Sequence, residues 1–242
     1  YDCASQGSQN FVLGVNTSLF EAIESFTVNR TGSGSLQLTS SGGQRDFTFG
    51  NYYQYGGTVS ITKNTGAGGQ RSISINNNFY ASDSLGNSRF FLMDNPSNDA
   101  AYGRLFVAGS LVMRIISTNI TTIENSIGFN NFAEVWFNGN ANQYAQFSTI
   151  TGNIDFNVAQ TVPGFGVTLG SNATAYKLYL TQGDFNIAAN TLTVNHTVTY
   201  PSPGTGTIGG SSASNLTLGF AGTTGTLNFA NTKRILKDFT QL

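Results

Sequence analysis

The feature that most limits the folds open to this chain is a corner spelled twice. Residues 42–49 read GGQRDFTF and residues 68–75 read GGQRSISI. Related alternating stretches precede them, GSLQLT at 34–39 and GTVSIT at 57–62. The offset is 23 residues at the first stretch and 26 at the second, because three residues are added around KNTGA. Insertions collect where backbone runs over the surface, while strands that pair must hold register. Successive copies are therefore expected to stack, with Arg45 above Arg71 and Phe47 on Ile73 inside.

Weaker echoes extend the pattern. In SRFFLM, 88–93, Arg89 stands to Phe91 and Met93 as Arg71 stands to Ile73 and Ile75, which makes it a candidate third copy of the same corner. FNVA at 156–159, FNIA at 185–188 and LNFA at 227–230 follow Gly152, Gly183 and Gly225, at spacings of 29 and 42 that share no exact period. The expected fold is all-β, an irregular β-solenoid (β-helix) with coils of about 20 to 29 residues, in which each coil buries its apolar face only against its neighbours. Roughly ten coils at about 4.8 Å each would give a rod near 50 Å long. One or two β-sandwiches are the alternative that short strands with frequent turns also permit.

One segment departs from strand alternation. In SLFEAIESF, 18–26, Ser18 and Glu21 have capping-box spacing, and Leu19, Ile23 and Phe26 fall on one helical face. This predicts a short N-terminal capping helix that covers the first coil's open edge. The expected organisation is an N-terminal strand and capping helix over 1–30 and a solenoid over 31–242. Tyr1 follows neither a Met nor a signal sequence, and KRILKDFTQL stops in a strand-like pattern, so the chain reads as a piece of a longer polypeptide that continues beyond Leu242.

Composition narrows the function. Of 242 residues only 10% are charged, against roughly 25% in ordinary domains, and the net charge is −1. The polar surface must be built from Ser, Thr, Asn, Gln and Gly, which gives no electrostatic reason to bind nucleic acid or an anionic membrane. The 29 glycines suit tight turns, and 19 Phe with 10 Tyr suit strands. Cys3 is the only cysteine, which excludes an internal disulfide and a cysteine-based zinc site. The longest apolar run, LFVAGSLVMRII at 105–116, contains Arg114 and is too short to span a bilayer, so no membrane insertion is expected.

Few motifs point to catalysis. GTGTIG at 204–209 matches a dinucleotide fingerprint in letters, but YPSP precedes it and no helix pattern follows. TGAGGQR at 65–71 lacks the Lys and Ser or Thr of a phosphate loop. His196, the only histidine, lies in TLTVNHTVTY on the face of Leu192, Val194 and Val198, and no neighbouring residue supplies a triad; it reads as a packed or coil-edge residue. The carboxylates Asp94, Asp99, Glu134 and Asp155 are the candidates for the paired acids of a polysaccharide-cleaving β-helix, and Glu134 sits beside Trp136 and Phe137, an aromatic patch able to hold a sugar ring. Asp94, Asn95, Asn98 and Asp99 gather oxygen ligands, but in a plain turn without calcium-loop spacing. The arginines at 45, 71 and 89 read as corner residues donating to loop carbonyls, with a polyanion-binding ladder as the alternative. No catalytic, cofactor or metal residue is assigned.

The stretch 178–242 carries NIAANTLTV, then GTGTIGGSSASNLTLG, then GTLNFANTKRILKDFTQL. It resembles the repeat regions of very large cell-surface proteins of Bacteroidota, the gliding-motility adhesins and related cargo of the type IX secretion system. The resemblance implies an extracellular, cell-surface, non-enzymatic protein. It also implies the type IX outer-membrane translocon as export partner, and DSL at 83–85 resembles the family's O-glycosylation pattern, with Ser84 or a nearby hydroxyl as acceptor. The expected function is a stiff structural and adhesive stalk that holds surface polysaccharide weakly. A β-helical polysaccharide lyase or glycoside hydrolase, and a phage tail fibre or tailspike segment, are the alternatives.

Overall fold

A computed structural model describes residues 1–3, 11–12, 23–39, 45–62, 70–94, 102–125, 132–201, 203–219 and 226–228. Among them there is no helix, and every strand pairing is parallel. β1 (Phe11–Val12), β3 (Ser35–Thr39), β5 (Gly57–Thr62), β8 (Ser88–Met93), β11 (Thr121–Asn125) and β14 (Thr149–Thr151) form a six-stranded sheet in that order. The other strands form a 16-stranded sheet. Its early members are β2 (Ile23–Val28), β4 (Arg45–Gln54), β6 (Gln70–Ile75), β7 (Phe79–Ser82), β9 (Tyr102–Val107), β10 (Leu111–Arg114), β12 (Phe132–Phe137) and β13 (Gln143–Gln146). The later ones are β15 (Asp155–Ala159), β16 (Gly166–Leu169), β17 (Ala173–Gln182), β18 (Asp184–Asn186), β19 (Thr191–Thr199), β20 (Thr207–Gly209), β21 (Asn215–Leu218) and β22 (Thr226–Asn228).

The long strand β4 shows how the larger sheet turns. Its first half pairs with β6 and its second half with β7, so one strand serves two ladders. One ladder then runs β4, β6, β9, β12, β15, β17, and the other runs β4, β7, β10, β13, β16, β18, β20. Gly50 lies where β4 changes partner: a Cβ there would stand 2.3 Å from the Glu24 carbonyl oxygen of the strand beside it, so no larger residue fits. Asn78 marks the same turn one step on, taking the Tyr52 amide on its carbonyl and the Ser110 amide on its side chain.

The repeated corner stacks as its spelling predicts. Leu36 pairs with Val59, Arg45 with Arg71 and Phe47 with Ile73. Phe47, Ile73, Leu105, Val135, Phe156 and Leu178 succeed one another along one ladder, all buried, in a single core cluster that also takes Leu36, Val59, Phe90 and Ile123 from the six-stranded sheet. Side chains of identical phase on successive strands thus bury one another, as expected of a stack whose units have no core of their own. Buried glutamines satisfy carbonyls at the turns: Gln54 Nε2 donates to Gly57 and Arg89, and Gln143 Nε2 to Val107 and Gly109.

Several expectations are corrected. Ile23–Phe26, the described part of the segment expected to be a capping helix, is strand β2, paired in parallel with β4 through Ile23 and Phe49, Phe26 and Tyr52; the ladder and the stacking of Phe26 on Phe49 outweigh a local capping signal. Residues 18–22 lie outside the described set. Arg89 is not a third copy of Arg71, because it stands beside Thr58 in the six-stranded sheet, and the position after Arg71 is Gly103. FNVA and FNIA fall in different ladders, with Phe156 beside Leu178 and Phe185 beside Val167 and Ile208. Steps between partners range from 18 residues, Val167 to Phe185, to 34, Leu111 to Ala145, a wider spread than 20 to 29. The longest steps hold loops such as 115–120, which Asp83 ties down by accepting hydrogen bonds from the Ile116 amide (2.6 Å) and from the amide and hydroxyl of Ser117.

Candidate functional site

In a strand, the residues flanking an inward one point outward. Four strands of one ladder carry the same triplet: Arg104-Leu105-Phe106 on β9, Glu134-Val135-Trp136 on β12, Asp155-Phe156-Asn157 on β15 and Lys177-Leu178-Tyr179 on β17. The middle residues are core, so the flanking ones line up in two outward columns. One column runs Arg104, Glu134, Asp155, Lys177; the other runs Phe106, Trp136, Asn157, Tyr179. The register brings Glu134 and Asp155, both singled out in the sequence, side by side on adjacent strands.

The polar column is internally paired. Arg104 Nε lies 2.6 Å from Glu134 Oε2, which also accepts from the Trp136 indole N–H at 2.8 Å. Asp155 Oδ1 accepts from the Lys177 amide at 3.1 Å. Asp155 is only 4% exposed, and burial pushes its carboxyl up to about 6; the Glu134 charge adds to the rise, and Lys177 opposes it. The same two carboxylates, after burial, raise the Tyr179 hydroxyl above its ordinary value.

The aromatic column makes a platform. The Phe106 and Trp136 rings are 5.3 Å apart at 44°, and the Arg104 guanidinium carbon sits 5.9 Å from the Trp136 ring. Between Trp136 and Tyr179 lies Asn157, whose Oδ1 accepts from the Thr181 hydroxyl at 2.9 Å. Half-buried rings beside fixed hydrogen-bonding groups can take the apolar face of a pyranose and its equatorial hydroxyls at the same time.

The remaining candidates lie elsewhere. Asp94 directly follows β8 of the other sheet, where its charge acts on Arg89, and Asp99, Asn95 and Asn98 lie outside the described residues. Arg89 pairs bidentately with Glu124, Nε to Oε1 and Nη2 to Oε2 both at 2.7 Å, and covers the Phe91 ring; it therefore serves a carboxylate rather than loop carbonyls. Arg71 is buried on the inward face of β6. His196 does not join the inward face of Leu192 and Val194: β19 gains a residue against β17 between Val194 and Thr197, which turns His196 outward beside the Tyr176 ring at 5.0 Å. In GTGTIG, Thr207–Gly209 is strand β20, without the helix a pyrophosphate needs. Ser84 is exposed and its neighbour Asp83 is buried. Among the described residues no cluster of three or more His, Cys, Asp or Glu could hold a metal, and no helix is long and apolar enough to cross a membrane.

Comparison with protein-family models, curated proteins and solved structures gives no match.

Proposed function

We propose that this chain is a structural and adhesive segment of a large secreted bacterial surface protein, a closed irregular β-solenoid that serves as a stiff stalk and holds polysaccharide weakly along one side. The carrying observation is the pair of outward columns, in which Phe106, Trp136 and Tyr179 lie in register beside Arg104, Glu134, Asp155 and Lys177. Strands repeat at about 4.8 Å, roughly the length of a sugar residue in an extended glycan, so an extended chain can lie along the stack and meet one strand per sugar. Weak contacts repeated in this way give retention by avidity. Export through the type IX translocon and residence at the cell surface belong to the same reading and rest on the resemblance of 178–242. The test is retardation of the protein in gels containing soluble neutral polysaccharides: Trp136→Ala should abolish retardation while leaving the melting curve near wild type. Equal retardation of the variant would remove the platform from the account.

A second reading, cleavage of the polysaccharide, has one observation in its favour. Glu134 and Asp155 are adjacent, and burial pushes the Asp155 carboxyl up to about 6, so it can hold a proton beside the second carboxyl that acid–base cleavage requires. New reducing or unsaturated ends after incubation, lost in Glu134→Gln, would establish it.

A further inference from the structure

A second site lies where the wall of the stack parts. β14 pairs with β11 and β17 pairs with β15 and β19, but no ladder joins β14 to β17. The two segments are fastened at both ends of the gap. At one end the Ser171 hydroxyl bridges the Phe147 amide (2.8 Å) and carbonyl (2.7 Å), and at the other the Tyr176 amide donates to the Ile154 carbonyl at 2.8 Å. Six residues, 148–153, span this interval on one side and four, 172–175, on the other, so the longer segment bows away. The result is a cavity of about 410 Å³, within the range of roughly 300 to 1,000 Å³ usual for small-molecule sites.

Its chemistry is specific. Hydroxyls of Ser148, Thr149, Thr174, Thr191 and Thr193 line it, with Phe147 and Ile150 as apolar surface, and no charged side chain is among the lining residues. Asn172 commits Oδ1 to the Thr191 amide at 2.8 Å, which leaves its Nδ2 as the donor it can offer. Ser148 donates to the Thr121 carbonyl and keeps its lone pairs as acceptors. A ligand here must therefore be uncharged, compact and rich in groups that both donate and accept.

We propose that this cavity is a subsite for one or two residues of a neutral saccharide, held end-on. It shares with the proposed function the class of ligand but none of its residues, so the two can fail separately. The test is amide-resolved NMR titration of the whole chain with methyl glycosides of glucose, galactose, mannose, xylose and N-acetylglucosamine. At least one should shift the amides of 148–150, 172–174 and 191–193 in a saturable way. Thr174→Trp, which fills the cavity from an exposed position, should abolish those shifts. Thr217→Trp, exposed on the same outward column two strands further along, should keep them. Thr193→Val, which removes one hydroxyl at constant shape, should weaken affinity about 2- to 10-fold. Trp136→Ala should leave the shifts intact even if it abolishes polysaccharide retention. No saturable shift with any of the five glycosides, or shifts that persist in Thr174→Trp, would overturn the proposal.

Discussion

Asp155→Asn should make the protein more stable at alkaline pH, although it removes a charge from a column of paired ones. Asp155 is nearly buried, and its carboxyl titrates near 6 in the fold against an ordinary value of 3.8. A rise of about 2 units at 1.36 kcal/mol per unit is about 3 kcal/mol. The folded state binds the proton more tightly than the unfolded chain does. The fold is therefore favoured below about pH 4, loses that advantage as pH rises from about 4 to about 6, and carries the full burden of a buried carboxylate above it. Asparagine keeps an oxygen for the Lys177 amide and cannot ionise. In urea unfolding, the variant should match wild type near pH 4 and exceed it by on the order of 3 kcal/mol near pH 8, with wild type alone losing stability between. A variant less stable than wild type near pH 8, or the same pH slope in both proteins, would refute the reasoning.

Other perturbations read different parts of the stack. Phe156→Ala removes a fully buried ring stacked on Phe147 at 5.0 Å and edge-on to Phe137 at 6.0 Å, and should cost about 3 to 5 kcal/mol in urea unfolding. Asp83→Ala releases the Ile116 and Ser117 amides, so hydrogen exchange should quicken there while Phe90 and Ile123 amides stay protected.

The fold was legible where neighbouring coils repeat the same words. GSLQLT over GTVSIT and GGQRDFTF over GGQRSISI pair residue for residue, because similar strands one coil apart occupy the same environment. It was illegible where different ladders use the same alternation. An arginine followed by alternating apolar residues describes β6 and β8 equally well, yet they lie in different sheets, and FNVA and FNIA mislead in the same way. His196 escaped because one extra residue in β19 against β17 turns it outward while Val194 and Val198 on either side keep facing inward, and period-2 reading has no means of seeing it. Glu134, Asp155 and Trp136 drew notice one by one, while Arg104, Phe106, Lys177 and Tyr179 did not. The triplets RLF, EVW, DFN and KLY would have united them, but their spacings of 30, 21 and 22 residues vary with loop length and hide the repeat.

The stacking register is the claim on which everything else depends, and a disulfide reads it directly. Thr48 and Ser74 are outward partners on adjacent strands β4 and β6, with Cα atoms about 5 Å apart, inside the window a disulfide accepts. In a Cys3→Ser background, Thr48→Cys with Ser74→Cys should oxidise completely under mild conditions in the folded protein. Thr48→Cys with Ser72→Cys, shifted two residues along the same face to about 8 Å, should stay reduced. Failure of the first pair, or bridging of the second in its place, would contradict the stack.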